Sequence, residues 1–339
     1  MKKQEKILVV FNTLAPTTLD QDYTEDLKQP DWETEADVIK ALQALGHDYQ
    51  LLGLYEDTRI LLEKIKQYPP TVIFNLVERF RNDAAHDRDI VSLFKLLDVP
   101  FTGCNPTGLT LCKNKALSKQ ILSYARIPVP NFAILPRGKT IRRPKRLDFP
   151  IFIKPLKEEA SLGIAQASFV ENDTQFKDRV AFIHETLDQD VIAEGYIEGR
   201  ELYVGVIGNK RLEVFPVREM RFNEVPEDEP KFASYKAKWD ENYRKKWGIV
   251  NQFAGVLPAG AQLKIEILCK KIYQLLSISG YARLDLRLTP SGEIVFIEAN
   301  PNPILSAEED FAASAAKAGT TYPQLIQKII NLSRPGSED

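Results

Sequence analysis

Two short runs in the last quarter of the chain carry the residue types from which a metal–phosphate site is built: Arg283-Leu-Asp285 and Glu298-Ala-Asn300. The alternation from Tyr281 to Thr289 predicts a strand, in which Arg283 and Asp285 share a face. Pro290-Ser-Gly292 predicts a turn, and Ile294-Val-Phe-Ile-Glu298 a returning strand that brings Glu298 and Asn300 beside that face. Two carboxylates, a carboxamide oxygen and a guanidinium then converge. Asp285, Glu298 and Asn300 are hard oxygen ligands suited to magnesium, or manganese, carrying substrate phosphates, and Arg283 can hold a phosphate oxygen. A surface hairpin with cross-strand charge pairs accounts for one Arg–Asp pair. It does not account for Glu-Ala-Asn ending an apolar strand.

These residues need a scaffold. At 339 residues the chain exceeds most single cores and predicts two or three domains. With 44% hydrophobic and 27% charged residues it has an ordinary globular composition. A formal net charge of -2 exerts no general pull on nucleic acid or an anionic membrane, so an anionic ligand must be held locally. The apolar run Ile7 to Asn12 is too short for a signal peptide or a membrane span. Cys104, Cys112 and Cys269 lack metal-ligand spacing, and His47, His86 and His184 are scattered; buried free thiols in the cytoplasm are the expectation.

Strand and helix signals alternate over the first hundred residues. Strands are predicted at Ile7–Phe11, Tyr49–Leu54, Thr71–Asn75 and Val99–Gly103, with helices at Thr34–Leu45 and Asp89–Leu97. This is the pattern of an open, mainly parallel α/β sheet, whose carboxyl-end crevice Asn12, Asn75 and Glu78 would line. A helix at Lys115–Tyr124 follows, then strands at Phe132–Leu135 and Ile151–Pro155. The latter forms a hairpin with Ala165–Val170 across a polar turn, Lys157 to Gly163. A helix at Asp173–Thr186 and a strand at Val191–Glu194 come next. The remainder reads as an antiparallel sheet: Glu201–Ile207, Leu212–Arg218, Ala282–Thr289 and Glu293–Glu298, flanked by helices Ala261–Ser279 and Tyr322–Leu332. Phe222 to Gly248 is dense in charge and reads as a long functional loop.

Arg283-x-Asp285 followed by Glu298-Ala-Asn300 resembles the metal-binding signature of ATP-grasp enzymes, most closely the D-alanine–D-alanine ligase branch, and the likeness runs from about Thr71 to Leu332. It implies an ATP-grasp fold, α/β and α+β, with a Rossmann-like pre-ATP-grasp parallel-sheet domain at residues 1–103. A central subdomain at 104–190, a metal-carrying subdomain at 191–334 and a tail at 335–339 complete the expected division. On the matching motifs, Lys115 and Lys154 would bind ATP phosphates and Glu158 to Gly163, with Ser161, would cover them. Glu194, Tyr196 and Ile197 would meet adenine, and Glu201 the ribose. Lys238 would close over the phosphates on the Phe222–Gly248 segment. Lysines are compact cations suited to phosphate oxygens, and Lys154 ends an apolar strand where a solvated lysine is not expected. Gly163 and Gly199 permit close backbone approach to a ligand or simply form turns.

The resemblance implies that ATP phosphorylates a carboxylate and that an amine then displaces phosphate. Arg283 and Lys238 would support the transfer, small amino-acid-like substrates would be the partners, and the assembly would be a homodimer. The substrate loops depart from the D-alanine–D-alanine ligase pattern. Phe11-Asn-Thr-Leu-Ala-Pro16 replaces a glycine-rich, glutamate-bearing motif, and Asn75-Leu-Val-Glu78 a histidine-containing turn. Pro301-Asn-Pro303-Ile304 and Glu308-Glu309-Asp310 stand where a glycine and a serine are expected. Glu78, Ile304 and Glu309 thus become the candidate substrate contacts, and the acidic run would favour a cationic acceptor. Open alternatives are an authentic D-alanine–D-alanine ligase, an ATP-grasp phosphotransferase, and a nucleotide-binding protein without chemistry.

Overall fold

The computed structural model describes residues 4–157, 161, 163–226 and 229–334. The run Ile7 to Phe11 is fully buried, as a strand covered on both faces requires. It lies in β1 (Lys6–Asn12), which pairs in parallel with β2 (Asp48–Leu54) on one side and β3 (Val72–Leu76) on the other. The crossovers carry α1 (Glu33–Leu45), stopped by Gly46 in the left-handed region, and α2 (Thr58–Gln67), started by the Asp57 cap. The sequence reading did not assign α2. The expected strand at Val99–Gly103 follows α3 (Asp87–Leu96) but contracts to one parallel bridge, Ile73 to Phe101, before Gly103 turns the chain away at a φ of 94°.

Two asparagine caps then set two helices end to end. Asn105 accepts from Gly108 N at 3.0 Å and starts α4 (Pro106–Lys113), which sequence reasoning also missed; Asn114 accepts from Leu117 N at 3.0 Å and starts α5 (Lys115–Tyr124). An antiparallel sheet follows, of β4 (Phe132–Leu135), β5 (Ile151–Pro155), β6 (Phe169–Val170) and β7 (Val191–Gly195), in the order β4-β7-β5-β6. It is covered by α6 (Asp173–Thr186), whose Phe176, Val180 and Ile183 pack on Ile151 and Ile153 in a core of their own. The expected hairpin is short, pairing Phe152 with Phe169 and Ile151 with Val170. Glu158, Glu159, Ala160 and Leu162 of the expected phosphate cover lie outside the described residues.

The third sheet runs β11-β10-β8-β12-β13, with β9 beside β8. Here β8 spans Arg200–Ile207, and the single strand expected at Leu212–Arg218 divides into β9 (Glu213–Val214) and β10 (Arg218–Phe222) around Pro216, which has no N–H to give a ladder. The long loop expected from Phe222 to Gly248 contains α7 (Tyr235–Trp239) and α8 (Glu241–Lys246) and leads into β11 (Ile249–Phe253). Ser234 and Asp240 cap those helices, accepting from Ala237 N at 3.2 Å and Tyr243 N at 2.9 Å. Charge density masked two ordinary capping signals. The chain continues through α9 (Ala261–Leu275), β12 (Tyr281–Leu288), β13 (Ile294–Pro301), α10 (Asp310–Lys317) and α11 (Tyr322–Leu332).

The parallel sheet is clamped from both sides by the carboxyl-terminal third. Leu8, Val10 and Ile73 share a core with Ile265 and Ile272 of α9 and Leu284 of β12. Ile7, Val9 and Phe74 share another with Phe311 of α10 and Leu325 and Ile329 of α11. Phe311 meets Phe215 edge-on and Tyr281 at a tilt, at ring-centroid distances of 5.4 and 5.5 Å, contacts that add to its burial. Phe311→Ala is therefore expected to cost about 3–5 kcal/mol of unfolding free energy in urea titrations. Phe182→Ala, at a position 45% exposed, should cost less than about 1 kcal/mol.

Candidate active site

The pairing of β12 with β13 sets Arg283 opposite Asn300 and Asp285 opposite Glu298, as the alternation predicted. Arg283 does not reach outward alone. Its Nε and Nη2 donate to the two oxygens of Asp285 at 2.8 and 2.9 Å, and its guanidinium lies 4.7 Å from the centre of the Tyr203 ring. The buried Nδ2 of Asn300 has no hydrogen-bond partner. Among the described residues no three His, Cys, Asp or Glu side chains gather as a metal site, so a cation here would rest on Asp285, Glu298 and the Asn300 carboxamide. These are hard oxygens, which fit such a group, while the unpaired Asn300 Nδ2 is a donor suited to an anionic oxygen such as that of a phosphate.

Four lysines surround this hairpin. Burial alone would raise the Glu298 carboxyl, but Lys115, Lys238, Lys154 and Lys119 hold it at about 2. Burial raises Asp285 against the pull of Arg283, and the charge of Glu298 adds to the rise. Lys115 is buried at the first position of α5, where the Asn114 cap fixes the backbone. Lys154 ends β5 with its Nζ 2.8 Å from Glu194 Oε2, and Lys119 lies 2.9 Å from Glu194 Oε1. The sequence reading put Glu194 at the adenine edge; the structure buries its carboxylate between two ammonium groups. Lys119 is a residue that sequence reasoning missed. Burial first, with Lys154 adding, brings its ammonium down to about 8 against the pull of Glu194, and it donates to Ile297 O at 2.5 Å. Its signal was available: it sits three residues from Ala116 and three from Leu122, on the buried face of the helix.

The cleft in front of these lysines, about 610 Å³, lies between the two antiparallel sheets. Phe152 and Lys154 of β5, Glu194 of β7, and Asp285 and Glu298 of the hairpin line it, with Ser161, Tyr196, Ile197, Glu201 and Lys238. Glu201 receives three donors: Arg287 Nη2 at 2.8 Å, Tyr203 OH at 2.9 Å and Ala233 N at 3.2 Å. Arg287 also donates to Gly199 O and Lys231 O, each at 2.8 Å, so one buried guanidinium fixes three segments of the wall. It too was missed, although it shares the alternating face of Arg283 and Asp285. Ser161 donates to Ala233 O at 3.0 Å and Tyr235 N to Ile164 O at 3.0 Å, which joins the turn after β5 to the segment bearing Lys238. The two glycines answer to protein neighbours. A Cβ at Gly199, φ 145°, would lie 2.3 Å from Leu288 O, and one at Gly163, φ 73°, 2.6 Å from Leu187 Cδ1.

A family model described as the D-ala D-ala ligase C-terminus matches residues 121–331. The chain belongs to the D-alanine–D-alanine ligase family. It is 30% identical over 308 residues to the uncharacterized protein y4sG of Sinorhizobium fredii, covering 87% of this chain and 86% of that one. It is 28% identical over 312 residues to the vancomycin B-type resistance protein VanB of Enterococcus faecalis, covering 90% and 84%. The solved D-alanine–D-alanine ligase of Bacillus anthracis complexed with ATP shares the fold, with a TM-score of 0.74 and 20% identity over 97% of each chain. This ligase-family chain is thus an ATP-grasp, ADP-forming, ATP-dependent ligase, and no helix among its described residues is long and apolar enough to cross a membrane.

On the other side of Arg283 and Asn300 lies a second space, lined by Lys238, Glu78, Ile304 and Glu309. The acidic run expected to favour a cationic acceptor, Glu308-Glu309-Asp310, lines this space, and one of its three carboxylates is paired within the protein. Arg218 Nε donates to Asp310 at 2.9 Å and Asn251 Nδ2 at 2.7 Å, so Asp310 is neutralised within the protein. Glu35 of α1, missed as an ordinary first-turn acid, lines an adjoining crevice together with Glu78. Burial first, and the charge of Glu78 with it, pushes Glu35 from 4.5 up to about 7. Folded chain then keeps a proton that unfolded chain has released, so stability falls as pH rises from about 4.5 through about 7. The melting temperature of the wild type, relative to Glu35→Gln, is expected to drop between about pH 5 and pH 8 in calorimetric scans.

Proposed function

We propose that this ligase transfers the γ-phosphoryl group of ATP to the carboxylate of an amino-acid-like substrate and then joins the acyl group to an amine, releasing phosphate. The observation that carries the reading is the concentration of Lys115, Lys119, Lys154 and Lys238 around Glu298, opposite Asp285, at the junction of the cleft and the Arg283 space. Lys115, Lys154 and Lys238 would take the phosphates, Lys119 would hold Glu194 and so position Lys154, and Ser161 would close over them. Tyr196 and Ile197 would line the base and Glu201 the ribose. Magnesium held by Asp285, Glu298 and Asn300 would neutralise phosphate charge when bound. Arg283, oriented by its bidentate pair with Asp285, faces the developing charge on the substrate side, where Glu78, Ile304 and Glu309 would contact the amino acid. Residues 104–190 and 191–334 act as the two closing halves, with 1–103 supplying the substrate wall. Three buried cysteines outside any disulfide suit a cytoplasmic setting, and a homodimer is part of the same proposal.

The two carboxylates are tested by isosteric exchange, which removes the charge while keeping the side-chain volume. Asp285→Asn and Glu298→Gln are each expected to lower ADP release by about a hundredfold or more, with far-ultraviolet dichroism unchanged. Wild-type turnover in either variant removes the metal assignment. Product mass separates the chemistries: loss of water between two amino acids marks a ligase, whereas a retained phosphate marks a phosphotransferase.

A further inference from the structure

The carboxylate proposed to meet the ribose is already largely engaged within the protein. Glu201 and Tyr203 alternate along one face of β8, while Leu202 and Val204 turn the other way into the core. Arg287 stands directly across from Glu201 on β12. Tyr203 OH donates to Glu201 Oε1 at 2.9 Å, whereas Arg287 Nη2 at 2.8 Å and Ala233 N at 3.2 Å both donate to Oε2. A carboxylate offers about four lone-pair sites, two on each oxygen. Oε2 is therefore filled, and Oε1 keeps one site.

The three donors are built into the wall. Arg287 is buried and also donates to Gly199 O and Lys231 O, each at 2.8 Å. Tyr203 is 2% exposed, with its ring 4.7 Å from the Arg283 guanidinium. It lines the Arg283 space, whereas Glu201 lines the nucleotide cleft, so the phenol reaches the carboxylate from behind. Burial first, then the charges of Glu201 and Asp285, raise that phenol well above its usual 10, and the hydroxyl stays a donor. Ala233 belongs to the segment that covers the cleft, and its carbonyl accepts from Ser161 Oγ at 3.0 Å. A second sugar hydroxyl on Glu201 would have to displace the guanidinium, unfasten that segment or evict Tyr203. Each exchange breaks a bond to a charged group in order to make one.

We propose that Tyr203 is a specificity-determining residue for the nucleotide: by occupying one site of Oε1 it makes Glu201 the reader of a single sugar hydroxyl. Of the two vicinal hydroxyls of ATP, this carboxylate recognises one and passes over the other. The accepted ligand class therefore includes one of the two monodeoxy forms of ATP. The inference rests on the reading of Glu201 as the ribose contact, and the two are separable by experiment.

Isothermal titration of the full chain, with magnesium and without amino acids, compares ATP, 2′-deoxy-ATP and 3′-deoxy-ATP. One deoxy analogue should bind about tenfold or more weakly than ATP, the scale of one hydrogen bond to a charged group, and the other within about twofold. Tyr203→Phe keeps the ring beside Arg283 and frees the second site of Oε1. In that variant the tolerated analogue should fall about fivefold or more behind ATP. Equal penalties for both analogues in the wild type overturn the proposal and leave the ribose reading standing. So does a Tyr203→Phe chain with native far-ultraviolet dichroism and wild-type ratios. If neither analogue is penalised while ATP binds, Glu201 is not the ribose contact, and the proposal falls with that reading. The wild-type ratios need no variant, so they decide even where Tyr203→Phe loses its fold.

Discussion

Buried charge of one sign must find charge of the other, and this constraint organises the molecule. Lys115, Lys119, Lys154 and Lys238 converge on Glu298, while Glu194 lies between two of them. Isolated ammonium groups withdrawn from water would shed their protons. Glu194 and Glu298 help to keep them charged, and a cluster of four lysines suits a polyanion. Three different sources supply the lysines: a helix start, a strand end and a short helix after β10. The three sheets and their connections are therefore arranged so that these sources meet.

Much of this was legible in the sequence. The hairpin of β12 and β13 announced itself because strand alternation fixes which side chains share a face, and a turn fixes what returns beside them. Helices with sharp caps, Asp173–Thr186 and Tyr322–Leu332, match their expected bounds. Five helices were not read: α2, α4, α7, α8 and α10. Asp57 and Asn105 are capping residues whose signals were passed over, and the alanine-rich α10 was overshadowed by the acids that precede it.

Charge was the harder quantity. In a sequence, Glu308-Glu309-Asp310 looks like an acidic lip, but Arg218 is distant in the chain and its partnership with Asp310 exists only in the fold. The reverse holds at Glu35, an unremarked residue of a helix start until the sheet brings Glu78 towards it. Arg283, expected to grip phosphate, is first of all the partner of Asp285. Lys119 and Arg287 carry much of the positioning, and neither belongs to a motif. Their signal is burial of a long cation on an apolar face, which a motif search does not weigh.

Among the described residues the cover over the cleft is fastened by ordinary hydrogen bonds: Ser161 to Ala233, Tyr235 to Ile164, and Gln166 to Tyr243 at 2.9 Å. Each neutral hydrogen bond contributes about 1 kcal/mol net, so together they favour the fastened form by about 3 kcal/mol. A fastening of that strength works as a clock. On the proposed reaction it would keep water from an acylphosphate, yet let spent nucleotide leave without the core having to loosen.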